Sequence, residues 1–187
     1  MLQKLVREMQ NVRIWHRLRT EWTRALDRIC HEEDHGLGAR ALIIPCDPWG
    51  VIGSRGDQAM ILACLQHVRA AHPDRVVDVL TDSHDTDAPC RELGLNPVVA
   101  WREPLDVWFA AHAGDYAEVY IPGADVTDGV YGWLTACKLL AFYDCFAARG
   151  VPVHYLGFSW SETPHRMMKC VLARLAKALP LPVRDPV

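Results

Sequence analysis

The sequence is short of several features that would each have placed it at once. It has no excess of positive charge: 20 lysines and arginines stand against 23 aspartates and glutamates, a net charge of −3 with histidines neutral. The basic footprint of a nucleic-acid or anionic-membrane binder is therefore absent from the overall composition. No apolar run approaches the ~20 residues needed to cross a bilayer. The opening MLQKLVREMQ mixes charges and lacks the apolar core of a signal peptide, so the sequence reads as not exported. Seven cysteines, at 30, 46, 64, 90, 137, 145 and 170, never fall into C-x-x-C spacing, which excludes a zinc knuckle and a thioredoxin-type motif. Most lie in apolar stretches, as free buried thiols do, and the expectation is a reduced, cytoplasmic protein. Internal repeats and low-complexity segments are also lacking. With 187 residues, half of them hydrophobic, the chain is long and oily enough for one full domain and too oily for disorder.

What is present falls into two parts. Residues 1–31 read as one long helix within an N-terminal extension over 1–38. Leu2, Leu5, Met9 and Val12 follow three-four spacing, and Trp15, Leu18, Trp22, Ala25 and Ile29 resume it after a three-residue offset. This amphipathic helix either packs on its own domain or pairs with a second copy in a homodimer. Gly36 and Gly38 end it.

Over 39–187, short strands alternate with helices. The strands are expected at 41–44, 76–80, 98–101, 119–121 and 153–156. A helix carries Ile61, Leu65 and Val68 on one face, and Pro104 opens a short one reaching about Ala113. Another carries Leu134, Cys137, Ala141 and Cys145. A last helix from near Pro164 buries Met168, Val171, Leu172, Leu175 and Leu179. The fold class is α/β, a Rossmann-like parallel sheet with helices on both faces. The closing Leu181-Pro182-Val183-Arg184-Asp185-Pro186-Val187 reads as the start of a further element, although a proline-rich tail is also an ordinary finish.

Ligands of open parallel sheets sit outside the carboxyl ends of the strands, so the loops there hold the candidates. After strand one, Gly50, Gly53 and Gly56 let the backbone turn tightly, and the helix start behind them suits an anion. The loop matches neither G-x-G-x-x-G nor G-x-x-x-x-G-K-S/T, and Asp57 reads equally as a functional carboxylate or as the helix N-cap. After strand four, Asp125 and Asp128 stand three residues apart between Gly123 and Gly129, fit either for proton transfer or for a capping turn. After strand five, Ser159, His165 and Arg166 gather at a helix start and suit an anion. His31-Glu32-Glu33-Asp34-His35 matches H-E-x-x-H formally, but at a helix end before glycine it reads as a solvated terminus. The acidic stretch from Asp82 to Asp87 lacks calcium-loop spacing and reads as a turn. No metal is expected.

Three segments in this order resemble the polysaccharide pyruvyl transferase family. Gly53-Ser54-Arg55-Gly56-Asp57-Gln58-Ala59 is similar to its G-N-x-G-D-x-A loop, and Gly123-Ala124-Asp125-Val126-Thr127-Asp128-Gly129 to its second glycine/aspartate loop. Gly150-Val151-Pro152-Val153 through Gly157-Phe158-Ser159 is similar to its strand ending in a G-x-S turn, and Arg184-Asp185-Pro186 to its R-D-x-x-S. The sequence departs from that pattern at Ser54, where asparagine is usual, and at Gln58, where glutamate is common. The resemblance covers about residues 39–187 and implies one half of a glycosyltransferase-B-like fold, with a second domain absent.

It also implies a cytoplasmic transferase of exopolysaccharide or cell-envelope synthesis. Such an enzyme moves the enolpyruvyl group of phosphoenolpyruvate onto a sugar or a lipid-linked oligosaccharide, giving a pyruvate ketal. Phosphoenolpyruvate is the donor substrate, and no cofactor is implied. Asp57, Asp125, Asp128 and His165 are the candidates for proton transfer or acceptor orientation. Gly53, Ser54, Arg55, Gly56, Gly123, Ser159, Arg166 and Arg184 are the candidates for holding substrate. Peripheral membrane association is compatible with a lipid-linked acceptor; a membrane span and nucleic acid are not expected. A nucleotide-sugar glycosyltransferase of the same plan, and a non-catalytic sugar- or partner-binding module, stand as alternatives.

Overall fold

In the computed structural model, residues 2–31, 36–123, 127–157 and 160–175 are described, with side chains from Val6 onward. The elements run α1 (Leu2–His31), β1 (Arg40–Ile43), α2 (Gly50–Gly53), α3 (Arg55–Ala71), β2 (Val77–Thr81), α4 (Asp87–Glu92), β3 (Asn96–Val99), α5 (Leu105–His112), β4 (Tyr116–Ile121), α6 (Trp133–Ala148), β5 (Val153–Tyr155) and α7 (Arg166–Leu175). All five strands are parallel, in the order β3-β2-β1-β4-β5. The fold is the expected α/β layer.

The doubly wound arrangement follows from β1. Its residues are apolar without interruption after Arg40, and successive side chains point to opposite faces. Ala41 and Ile43 enter one core with Ile61, Cys64, Leu65 and Val68 of α3 and Cys90 of α4. Leu42 and the following Ile44 enter the other, with α5, α6 and α7. That second core is centred on Trp108, whose ring lies 5.3 Å from those of Phe109 and Phe142 and 5.9 Å from that of Phe146. Each such edge or tilted pairing adds roughly 0.5–1.5 kcal/mol beyond burial.

The long helix α1 is stitched to this second face. Leu18 and Ala25 are buried, with Trp15, Trp22, Leu26 and Ile29 partly so. Trp22 Nε1 donates to Asp144 Oδ2 of α6 at 2.9 Å. Glu21 accepts the backbone N–H of Leu105 at 3.1 Å, placing a carboxylate at the positive end of α5. The second half of α1 therefore packs on its own domain, while Val6, Met9 and Val12 in the first half are exposed.

Three local expectations are corrected. The stretch after β2, read as a polar loop, contains a 3-10 turn and α4; Ser83 caps the turn by accepting from Asp85 N–H. Leu172 is only partly buried, because α7 is amphipathic and turns it toward its rim. Val76 and Trp101 flank strands rather than belonging to them. Cys30 and Cys170 are exposed free thiols, and the other five are buried. Leu179 and the tail over 181–187 lie outside the described residues, as do residues 32–35 of the H-E-x-x-H match. Its His31 is exposed and bonds back to Asp27 O.

A polar network ties four strands together. Asp78, fully buried on β2, accepts from Arg40 Nη2 and Asn96 Nδ2, each at 2.8 Å, and from Tyr116 Oη at 3.1 Å. Burial raises its carboxyl above the ordinary range, while Asn96, Arg40 and Tyr116 pull the other way. Removing the carboxylate leaves these donors without their acceptor. Asp78→Ala is expected to lower unfolding stability by about 3 kcal/mol, read as a lower urea midpoint; an unchanged midpoint would refute the role given to the network.

Candidate functional site

Winding reverses between β1 and β4: β2 and β3 continue from one side of β1, β4 and β5 from the other. The loops leaving these two strands part there, and such a point is where open α/β sheets take ligands. A cleft of about 340 Å³ lies at this place, lined by Cys46, Asp47 and Pro48 after β1, Asp57 on α3, and Tyr131, Gly132 and Thr135 before and within α6. The thiol of Cys46 donates to the carbonyls of Pro122 and Gly123, which holds the two loops together beneath the cleft. Gly123 has φ +76°, and a Cβ there would stand 2.9 Å from Met60 Cε, so the crossing requires glycine.

Asp57 lies in this cleft but is not the helix N-cap. Ser54 is the cap: its Oγ accepts from Asp57 N–H at 3.1 Å and donates to Asp57 Oδ2 at 2.6 Å. This reciprocal arrangement at the first turn leaves Asp57 Oδ1 without a partner among the described residues. The three glycines of the same loop do not form an open phosphate cradle. Gly50 and Gly53 belong to α2, where the N–H groups of Gly50, Ile52 and Gly53 bond to Asp47 O and Trp49 O. A Cβ on Gly50 would crowd Ile61 and Pro45 at 3.1 Å, so that glycine serves packing. Gly56 is exposed in the first turn of α3, and Arg55 is exposed and outside the cleft lining.

Asp128 is almost fully buried, and both its oxygens are engaged. Oδ1 accepts from Val130 N–H at 2.9 Å, Oδ2 from Ser161 N–H at 3.3 Å, and its carbonyl accepts from His165 N–H at 2.8 Å. It ties the loop after β4 to the start of α7. Thr127 shares a buried 2.7 Å hydrogen bond with Tyr155 Oη in the same region.

His165 stacks on Trp133, with centroids 5.4 Å apart and planes at 5°. Burial, then the neighbouring Arg166, lowers its pKa, which favours neutral imidazole. Met167 N–H points at Nδ1 from 3.3 Å, assigning the ring proton to Nε2. Arg166 itself is exposed. Asp125, Ser159 and Arg184 fall outside the described residues. The structure thus brings Asp57 to the cleft beside the segment that follows Asp128, and holds His165 next to that segment through Trp133.

Asp47, Cys46, Tyr131 and Thr135 complete the cleft and were not singled out from the sequence. Asp47 carried a usable signal, since it is the first carboxylate after the apolar strand, three residues past Ile44 at its carboxyl end. Its Oδ1 accepts from Trp49 N–H at 3.0 Å. Tyr131 is 80% exposed, an aromatic ring offered to solvent at the mouth.

Thr135 also borders a second cleft, of about 260 Å³, that holds Arg17, Glu21, Arg102, Glu103 and Lys138. Lys138 donates to the carbonyl of Trp101 and, at 3.4 Å, to that of Glu103, with its ammonium 5.0 Å from the Trp101 ring centre. Arg102 holds Asp82 through two bonds of 2.5 and 2.7 Å, which lowers the Asp82 pKa. Asp82 is thereby paired, Asp85 accepts from Ser83, Asp87 meets His84 and Arg91, and no cluster that could hold a metal occurs among the described residues. The carboxylate-lined cleft and this mixed-charge cleft adjoin at Thr135. No family model, curated protein or solved structure matches this chain.

Burial lowers Lys138 from the ordinary lysine range to about 8, against the pull of Glu21 and Asp82. The charged form is thus disfavoured in the folded state, and the unfolded chain binds the extra proton between pH 8 and its ordinary pKa. Stability contributed at this site therefore rises with pH across that window. Relative to Lys138→Met, the wild type is expected to gain stability from pH 8 to pH 10 in parallel urea titrations; a constant difference would contradict the desolvated amine.

Proposed function

We propose that the adjoining clefts form a group-transfer site that brings a hydroxylated sugar acceptor to phosphoenolpyruvate. The observation that carries this reading is the meeting at Thr135 of a carboxylate-lined cleft and one bearing lysine and arginine. Asp47 and Asp57 are acceptors for sugar hydroxyls, and the exposed ring of Tyr131 suits the C–H face of a pyranose. Arg17, Arg102 and Lys138 offer the second cleft N–H donors for a small anionic donor substrate, which would share Arg17 with Glu21 and Arg102 with Asp82. The resemblance of the loops around Asp57 and Asp128 to the pyruvyl transferase family supports the same chemistry.

In that reaction two sugar hydroxyl oxygens bond to C2 of phosphoenolpyruvate and its C–O bond to phosphate breaks. One hydroxyl proton is made up at the methylene carbon, which becomes methyl, and the other leaves with phosphate. Protonation at carbon develops positive charge at C2, which nearby carboxylates stabilise. Asp57, through Oδ1, accepts from an attacking hydroxyl. His165, neutral with its proton on Nε2, is the donor candidate, and Asp128 positions the loops. The second domain implied by the resemblance would add further groups to this half.

The test is phosphate release from phosphoenolpyruvate with a panel of nitrophenyl and lipid-linked hexosides. Release that depends on acceptor and falls at least ~100-fold in Asp57→Asn is expected of a proton-accepting carboxylate. A folded protein giving nucleoside diphosphate release from nucleotide sugars instead would establish the glycosyltransferase alternative. Acceptor-dependent release unaltered by Asp57→Asn would remove Asp57 from the mechanism.

A further inference from the structure

The near-neutral overall charge conceals a segregation. Residues 1–31 carry seven basic and three acidic side chains, net +4, while the other 156 residues carry net −7. The positive helix is also the one with an unsatisfied apolar face. At about 100° per residue, the packed stripe of Trp15, Leu18, Trp22, Ala25 and Ile29 spans one side of α1. Met9 lies roughly opposite Leu18 around the axis, with Val12 and Val6 about 120° from it on either hand. All three are exposed, by 50%, 51% and 41% respectively.

Residues 6–10 are exposed all around the helix, even Arg7, which lies on the side of the packed stripe. This end of α1 therefore projects beyond the domain. Within the next two turns Arg13 falls on this outer side, between the directions of Met9 and Val6, and Arg17 and Arg19 lie at its two edges. Arg17 bridges to Glu21, whereas Arg13 and Arg19 have no ion pair among the described residues.

We infer that the projecting end of α1 docks on an anionic lipid surface, the Val6–Met9–Val12 face entering the headgroup boundary and the arginines meeting lipid phosphates and carboxylates. An apolar stripe with arginines on it and at its edges, against the single carboxylate of Glu8, suits an interfacial helix, and neither part alone suffices. A second copy fits less well. Continuing the three-four spacing past Val12 brings His16 and Arg19 onto the seam, so parallel, in-register helices would oppose arginine to arginine after two heptads. The acidic remainder of the protein would turn its bulk away from the same surface. The inference rests on α1 alone and does not depend on the reading of the clefts.

The full chain is to be sedimented with phosphatidylcholine vesicles, with and without about one third phosphatidylserine. Binding that requires phosphatidylserine and weakens at ~0.5 M salt is expected. Met9→Glu with Val12→Glu, and separately Arg13→Glu with Arg19→Glu, should each weaken it by about tenfold or more. These side chains are exposed, so circular dichroism and melting temperature should match the wild type. Absence of wild-type binding overturns the inference, as does equal binding by both variants. A dimer in analytical ultracentrifugation that Met9→Glu dissolves overturns it too, by showing that a second copy covers the face.

Discussion

The arrangement of this protein depends on β1 being buried on both sides. Four apolar residues in succession, Ala41 to Ile44, leave no face for water, so helices must cover both. α3 and α4 cover one, α5 and α6 the other, and the chain must cross from the first set to the second between β3 and β4. That crossing sets β4 on the free side of β1 and parts the loops at their carboxyl ends. The cleft is thus a consequence of topology before any side chain is considered, and the residues lining it are those that leave β1 and approach α6.

Within that frame, the polar side chains divide by how many of their atoms are spoken for. Asp78 and Asp128 have both carboxylate oxygens engaged and serve to hold strands and loops. Asp57 spends one oxygen on Ser54 and keeps the other, at the edge of a cleft. Lys138 is held by carbonyls in a desolvated position beside two further cations. The proposed chemistry draws on the second group and uses the first as scaffold.

Much of the fold was legible in the sequence, because short apolar runs bounded by turn residues leave few alternatives to buried parallel strands. The packed half of α1 was legible from its three-four spacing, although the pattern alone left a second copy open as its partner. α4 was not, since Asp87 to Glu92 has one short turn of mixed residues and is fixed by Cys90 entering the core. In the candidate site, Asp57 was visible from its loop, but its capping partner was misplaced by three residues, as spacing cannot say which hydroxyl reaches which N–H. Asp47, Tyr131 and Thr135 were missed because they come together only when two loops distant in sequence meet. The net charge hid the basic helix, since composition averages over a surface that the fold keeps separate.

The central claim is that the cleft between the β1 and β4 loops is where ligand binds. It is tested most directly by amide chemical-shift mapping of the full chain on titration with phosphoenolpyruvate and a nitrophenyl hexoside. The account predicts that shifts with the hexoside concentrate at Cys46, Asp47, Asp57 and Tyr131 to Thr135, and with phosphoenolpyruvate at Arg102 and Lys138. Saturable shifts confined to other parts of the molecule, with those residues unmoved, would contradict it.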